Sequence, residues 1–382
     1  MIAKKLLVTG ATGFIGSRMC EMLSLDHRLP YRALVRNFAR AARIARLGSE
    51  MLMGDIADAA SLVRAVDGCD VVLNLAHGDD KDARRQAKHL VAACRHGVKR
   101  VVHVSSMAVH GPQPGLPVMT EANAPRGPWR EAYSDAKAEA EAIVLAGGRR
   151  HGFDVVVVRP TVVYGPFSFF VTPIVDDAHA GRLSLVDSGQ GICNAVYVDD
   201  VCDAIMAAVE NDAVSGQSFL VNGDDRLSWR EFNETFATMV DRPRSTFDHT
   251  SDAIEAHWAR LDPRLSTSVS ALVRLAASPA FHAQLATVPP IGAFIRGVKE
   301  LVAGSISAEQ KLAIKRRVQG RRALEAGAPT VKVPSRGRVV REAYRTWIDN
   351  SHAKTVLGWR PQHRFADGAA RTADWLRFAR MI

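Results

Sequence analysis

The sequence predicts an α/β protein built on a doubly wound parallel sheet, followed by a smaller, mainly helical C-terminal region. Three observations carry that prediction. The apolar run Leu6-Leu7-Val8 ends in a turn with closely spaced glycines, Thr9-Gly10-Ala11-Thr12-Gly13-Phe14-Ile15-Gly16, which leads into the helical stretch Ser17–Leu23. Apolar runs then alternate with helical periodicity at a regular stride as far as Pro160. Beyond Pro160 the stride breaks, and a chain of 382 residues is long for a single domain.

Taken in order, Tyr31–Arg36 reads as the second strand, Phe38–Leu47 as its helix, Glu50–Met53 as the third strand and Ala59–Val66 as the next helix. Asp70–Leu75 is a strongly apolar fourth strand, Asp82–His96 a helix and Arg100–Val104 a fifth strand. Strands that are apolar on both faces belong in a parallel sheet covered by helices and joined by right-handed crossovers, with ligands at their carboxyl ends. Glycine and proline in Gly111–Gly115 and Ala124–Pro128 bracket a loop, after which come a long helix, Arg130–Leu145, and a sixth strand, Asp154–Arg159. Shorter elements follow, including Ala195–Val198, Ser218–Val221 and a helix from Ser228, whose hydroxyl suits an N-cap. Residues 252–325 read as a helical insertion, and Ala366–Phe378 closes the chain with a helix whose Ala369, Ala373 and Leu376 suit a packing face. The expected division is a first domain over 1–165, rejoined by 195–222, and a second region over 166–382.

Hydrophobic residues at 47% and charged residues at 24% are ordinary globular values. The N-terminus enters a strand almost at once, so neither a signal nor a transit peptide is expected, and the cytoplasm is the expected location. Cys20, Cys69, Cys94, Cys193 and Cys202 show neither metal-ligand spacing nor a disulfide framework; they read as buried thiols, and no metal is expected. The net charge of +10 raises the possibility of a nucleic-acid partner, but the excess gathers around Arg36–Arg46 and Lys311–Arg345. A phosphate-bearing small molecule accounts for the first cluster more economically, so no nucleic acid is expected; the second cluster stays open. Leu272–Ile295 is apolar but interrupted by Pro279, Pro289 and Pro290, which rules out one continuous membrane span. With the basic run Lys311–Arg322 behind it, a solvated basic helix is favoured over a lid, a dimer contact or a membrane-surface patch.

The chemistry starts at the first turn. Glycines between a strand and a helix let the backbone approach a pyrophosphate, whose charge then rests on free N–H groups at the helix start. Gly10, Thr12, Gly13, Phe14, Ile15 and Gly16 are therefore candidates to bind a dinucleotide in a Rossmann-type fold. Arg36 ends the second strand about twenty residues after Gly16, where an NAD site places an acidic residue against the ribose. A cation there favours a 2′-phosphate, so NADP(H) is expected ahead of NAD(H), with Arg40 and Arg43 able to assist. Asp55 and Ile56 can meet the adenine, while Leu75, Ala76 and His77 end the fourth strand where the nicotinamide half lies. As an acid or base His77 reads as incidental, being a loop histidine with no evident carboxylate partner.

Ser105-Ser106 end the fifth strand, and Tyr133-Ser134-Asp135-Ala136-Lys137 places tyrosine and lysine on one helix face. The ammonium can lower the phenol's pKa and hold a cofactor ribose, and a serine hydroxyl can bond the same substrate oxygen. Together they can pass a proton to or from a carbonyl or alcohol while a hydride moves to or from nicotinamide.

With these motifs in place a family likeness emerges. Gly10-Ala11-Thr12-Gly13-Phe14-Ile15-Gly16, Asp55-Ile56, Asn74-Leu75-Ala76-His77 and Val104-Ser105-Ser106-Met107-Ala108-Val109-His110-Gly111 resemble segments of the extended short-chain dehydrogenase/reductases. So do Tyr133–Lys137, Arg159-Pro160-Thr161-Val162-Val163-Tyr164-Gly165-Pro166 and Val196-Tyr197-Val198-Asp199-Asp200. This is the superfamily of NAD-dependent epimerases and dehydratases. The likeness runs from residue 1 to about 240 and resumes over Trp347–Arg360.

The resemblance implies that Ser106 rather than Ser105 is the catalytic serine, Tyr133 the general acid/base and Lys137 its partner. Ser105, Pro160 and Val163 then border the cofactor, and a homodimer through two helices is implied. Cys193 stands where the family's nucleotide-sugar epimerases usually carry a phosphate-binding arginine, although Arg182 can substitute, and Ser106-Met107-Ala108 lacks the acid pair of the dehydratases. What remains resembles the reductase and hydroxysteroid-dehydrogenase-like branches, with a small-molecule substrate near Met107, Tyr164, Phe167 and Asn194. Phe169 and Phe170 are further pocket candidates, and for all these aromatic residues a place in the core is an equal expectation. A nucleotide-sugar epimerase is the rival reading, and a non-catalytic dinucleotide sensor or scaffold a third.

Overall fold

A computed structural model describes residues 5–112, 115–261 and 333–382, so that most of the 252–325 insertion, including Leu272–Ile295 and Lys311–Arg322, lies outside the described residues. The chain opens with β1 (Leu6–Thr9), α1 (Phe14–Leu25), β2 (Tyr31–Val35), α2 (Ala42–Ala45), β3 (Glu50–Met53), α3 (Ala59–Val66), β4 (Val71–Asn74), α4 (Ala83–Cys94) and β5 (Arg100–Val104). Then come β6 (Val118–Met119), α5 (Ala132–His151), β7 (Asp154–Pro160), β8 (Val162–Tyr164), α6 (Thr172–His179), β9 (Arg182–Val186), β10 (Ile192–Cys193) and β11 (Ala195–Tyr197). They are followed by α7 (Val198–Glu210), β12 (Ser218–Val221), β13 (Leu227–Ser228), α8 (Trp229–Ala237), β14 (Ser245–His249) and α9 (Ser251–Leu261). The described C-terminal stretch adds helix Arg336–Glu342, β15 (Trp347–Ile348) and helix Phe365–Phe378.

Two compact units divide the chain. One comprises 1–179, 189–242 and 340–382, the other 180–188 and 243–339. The first is built on a seven-stranded sheet in the order β3-β2-β1-β4-β5-β7-β12, parallel throughout. The order reverses between β1 and β4, which opens a crevice above their carboxyl ends. Leu7, Val72, Val101 and Val155 on one face of the sheet pack against Leu62 of α3, Leu90 of α4 and Val144 of α5. In the second unit β9 and β14 pair in parallel, and Val186, Ile254 and Val339 form a small cluster of their own.

Two helices depart from expectation. Phe38–Leu47 is not one helix: a 3-10 turn, Phe38–Ala41, capped by the Asn37 side chain accepting from the Ala39 N–H, precedes the four-residue α2. α5 starts at Ala132 because the Glu131 carboxylate accepts from the Tyr133 and Ser134 N–H groups. It continues past Leu145 to His151 because Gly147 and Gly148 let it lie close to its neighbours. A Cβ at Gly147 would stand 2.5 Å from Val91, and one at Gly148 2.5 Å from Val155.

All five cysteines are buried free thiols. Among the described residues no helix is long and apolar enough to cross a membrane, and no cluster of side chains is fit to hold a metal ion.

Candidate active site

The first turn is shaped by contact with the end of β4. Gly10 has φ +70°, and a Cβ there would fall 2.7 Å from the Ala76 nitrogen; a Cβ on Gly16 would fall 2.1 Å from the Gly10 carbonyl oxygen. Only glycine fits either place. Thr9, Asn74 and His103 sit opposite one another on adjacent strands. The Thr9 hydroxyl donates to Asn74 Oδ1 at 2.7 Å and accepts from the Ala76 N–H at 3.3 Å, which ties the two turns together. Asn74 Nδ2 in turn lies 2.8 Å from His103 Nδ1, and burial holds that imidazole at about 3, neutral at ordinary pH. Gly13, the N-cap of α1, offers no side chain to the N–H groups of the first helical turn, so they remain available to an anion. These are the features a dinucleotide requires.

Arg36, just past the end of β2, is exposed, with no ion pair among the described residues, and Arg40 is exposed too. Arg43 is already committed: its Nε and Nη2 lie 2.7 and 2.9 Å from Glu21, and its guanidinium sits 4.1 Å over the Phe167 ring. The expectation that Arg43 assists a phosphate therefore gives way to a structural role. Asp55 accepts from the Ala57 N–H at 2.9 Å, and Ile56 packs partly against the sheet core. Leu75 and Ala76 stay half-buried beside Gly10, while Pro160 and Val163 are buried.

At the end of β5, Ser105 is buried, whereas Ser106 caps the 3-10 turn Met107–His110 by accepting from the Ala108 N–H at 3.2 Å. Tyr133 keeps 37% of its surface open, yet burial around the phenol raises its pKa, and the Ser106 hydroxyl beside it pulls the other way. The serine that meets Tyr133 is thus Ser106. Lys137, one turn on, is buried; its ammonium donates to the Val104 carbonyl at 3.2 Å. Desolvation lowers it to about 8, opposed by Asp80 and Glu141.

The sequence reading missed Asp80. Its Oδ1 lies 2.8 Å from His77 Nε2, so the loop histidine does have a carboxylate partner, and the His77 ring meets Tyr133 edge-on. The spacing of three residues was the only available signal.

Other expected substrate residues lie elsewhere. Tyr164 is 2% exposed and packs among Tyr197, Phe232, Phe236 and Phe365, with its hydroxyl 3.4 Å from the Phe365 carbonyl. It belongs to the core rather than to a pocket wall. Phe167 is exposed and packs on Trp375 and Arg43. Asn194 is buried as a stitch, donating to the Thr346 carbonyl at 2.9 Å and accepting from the Ile348 N–H at 2.9 Å. Met107 packs against Met119, Leu220, Tyr344 and Ile348 while keeping part of its surface open. Cys193 is buried, its thiol raised by desolvation.

Residues 6–221 match the model of the NAD dependent epimerase/dehydratase family. The chain belongs to that family. Among characterised members it is 30% identical, over 56% of its length and 67% of the relative's, to a 4-hydroxy-2-methyl-3-oxo-4-farnesyl-3,4-dihydroquinoline-1-oxide ketoreductase of Stigmatella aurantiaca. It is 28% identical, over 63% of its length and 77% of the relative's, to a 2-alkyl-3-oxoalkanoate reductase of Stenotrophomonas maltophilia. It is 27% identical to a UDP-glucose 4-epimerase of Vibrio cholerae, over 63% and 77% of the two chains. In fold it matches a dTDP-glucose 4,6-dehydratase of Streptomyces venezuelae solved with NAD, with a TM-score of 0.67 at 21% identity over 98% and 97% of the chains. The protein is thus an enzyme of the extended short-chain dehydrogenase type, in a family whose members include reductases, epimerases and dehydratases.

Proposed function

We propose that this family member is an NADP(H)-linked oxidoreductase that interconverts a secondary alcohol and a ketone on a small, apolar or sugar-like substrate. The observation that carries this reading is the meeting of Ser106, Tyr133 and Lys137 at the carboxyl end of β5, beside a Met107-Ala108 pair that offers no second acid. The ketoreductase and the 2-alkyl-3-oxoalkanoate reductase named above support it. The exposed Arg36 supports NADP(H), with NAD(H) as the second choice.

When bound, the dinucleotide supplies the hydride for reduction, or accepts it in oxidation. Tyr133 gives its phenolic proton to the carbonyl oxygen, and the Ser106 hydroxyl bonds that same oxygen. Lys137, while charged, favours the phenolate that Tyr133 becomes. The oxidative direction reverses each transfer.

The test is a screen of ketones and alcohols with NADPH and with NADH, read at the nicotinamide absorbance, on wild type and Tyr133→Phe. Removal of the proton donor is expected to lower turnover by at least about a hundredfold while leaving dinucleotide affinity unchanged. Turnover retained in Tyr133→Phe would remove the mechanism, and tighter binding of NADH than NADPH would remove the role of Arg36.

One observation favours an epimerase as the second reading. Arg341 lies 5.2 Å over the Phe170 ring and 5.4 Å over Trp229; burial and the neighbouring Glu342, 3.6 Å from its guanidinium, raise the Cys193 thiol, and the Arg341 charge opposes them. A cation from the C-terminal stretch therefore stands near the place of the missing arginine. Tightly held NAD, with epimerisation of a nucleotide sugar and no net change in nicotinamide absorbance, would decide for that reading.

A further inference from the structure

His77 lies on the loop after β4, with its ring 5.2 Å from that of Tyr133, centroid to centroid, and inclined at 82°. Its Nε2 is 2.8 Å from Asp80 Oδ1. An ionised carboxylate only accepts, so in the neutral ring Nε2 carries the proton and Nδ1 is the bare acceptor. Asp80 is itself held on a built turn: the Asp79 side chain accepts from the Lys81 N–H at 3.0 Å and caps the 3-10 turn Asp80–Asp82. The charged and titratable groups around the His77–Tyr133 pair are Asp80 on the same loop, Glu131 and Lys137 at the start of α5, and His103 on β5. Burial and the Lys137 charge lower the His77 pKa against the pull of Asp80.

We infer that His77, oriented by Asp80, is a positioning residue for Tyr133: it braces the phenol ring in its working orientation and, when protonated, makes the phenol a stronger acid. The inference rests on the reading of Tyr133 as proton donor. A ring more than a third exposed is not held by packing on every side, so an edge-to-face neighbour fixed by a carboxylate supplies constraint that the rest of the wall does not. A cation beside the phenol favours its phenolate, so protonation of His77 strengthens Tyr133 as an acid for ketone reduction.

His77→Ala and His77→Phe are compared with wild type in NADPH-linked reduction of a ketone that the wild type accepts. In parallel, the protein carrying 13Cζ-labelled tyrosine is titrated by NMR, with the Tyr133 resonance assigned from Tyr133→Phe. His77→Ala is expected to lower kcat about tenfold, because a misplaced phenol slows the transfer. His77→Phe keeps the ring contact and recovers most of kcat at neutral pH. It loses the rise in kcat that wild type shows as pH falls below the ordinary imidazole range. The Tyr133 resonance shifts with that same titration in wild type and stays still in His77→Phe.

The inference is overturned if His77→Ala changes kcat by less than about twofold, or if the Tyr133 resonance ignores the titration. A wild type that reduces no ketone sinks the reading of Tyr133, while the tyrosine resonance still decides whether His77 governs that ring.

Discussion

Lys137 concentrates the tension between stability and chemistry in one side chain. Its ammonium is buried and, among the described residues, makes one hydrogen bond, to the Val104 carbonyl. Desolvation brings its pKa from 10.5 to about 8, so the unfolded chain binds more protons than the folded one between those values. Folding is therefore opposed at neutral pH, and the opposition fades as pH rises through that window. Lys137→Met is expected to stabilise the free protein by ~2 kcal/mol at pH 7, an advantage that shrinks towards pH 10, as denaturant midpoints would show. The same substitution abolishes turnover. In wild type, ketone reduction should decline as pH passes about 8, because the charge that favours the phenolate is lost. Other single residues were less readable in the sequence. Nothing in the identity of Tyr164 or Phe167 says which side of a wall it occupies, and the partner that fixes Phe167, Arg43, is far away in the chain.

At the scale of elements, the parallel strands and the glycine turn were legible because burial on both faces and the absence of Cβ atoms leave a local trace. Helix ends were less so. α5 runs through Gly147-Gly148 because tertiary contact with Val91 and Val155 outweighs helix propensity. Its inner face is tied to β7 by Arg159, whose Nε lies 3.1 Å from Glu141 Oε2 and whose Nη2 bonds the other carboxylate oxygen. Burial would raise the Glu141 pKa, but Arg159 outweighs it and holds the carboxyl below its ordinary value. That stabilisation is present above the unfolded pKa and disappears as pH falls through the folded one. Glu141→Ala leaves the half-buried Arg159 without its carboxylate and should cost about 3 kcal/mol, measurable in urea, with Tyr133 and Lys137 displaced on the same helix. At the opposite end of the sheet Arg100, 3% exposed, donates to the Val209 and Asn211 carbonyls at 2.9 and 3.0 Å. It closes the C-terminus of α7, where a cation is favoured.

Across the first unit as a whole, chemistry gathers at the carboxyl ends of the strands, and the chain's last segment closes the other walls. β15 pairs with β6, and the Asn350 amide donates to the Asn222 carbonyl at 2.7 Å. Phe365 completes the aromatic cluster around Tyr164. The sequence showed that this segment resembles a familiar one but not what it touches, because each of these partners lies more than a hundred residues earlier. Removal of residues 344–382 should leave a chain that exposes this core and gives no cooperative thermal transition, even with NADPH present. A soluble, cooperative fragment would show that the sheet stands without it.

Asp200 adds a dimension of time. Its carboxylate, 0% exposed, accepts from the Gln362 N–H at 2.8 Å and meets the His363 ring at 2.9 Å, across a separation of 163 residues. A ribosome adding ~5–20 residues per second delivers those partners roughly ten to thirty seconds after Asp200 itself. From the synthesis of Phe236 until that of Phe365 the nascent chain holds a carboxylate and a partial aromatic cluster that still lack these partners, while the sheet behind them is already complete in sequence. Synthesis of this enzyme thus has a built-in vulnerable stage, in which the nucleotide cradle has all of its residues before the rest of the first unit can close.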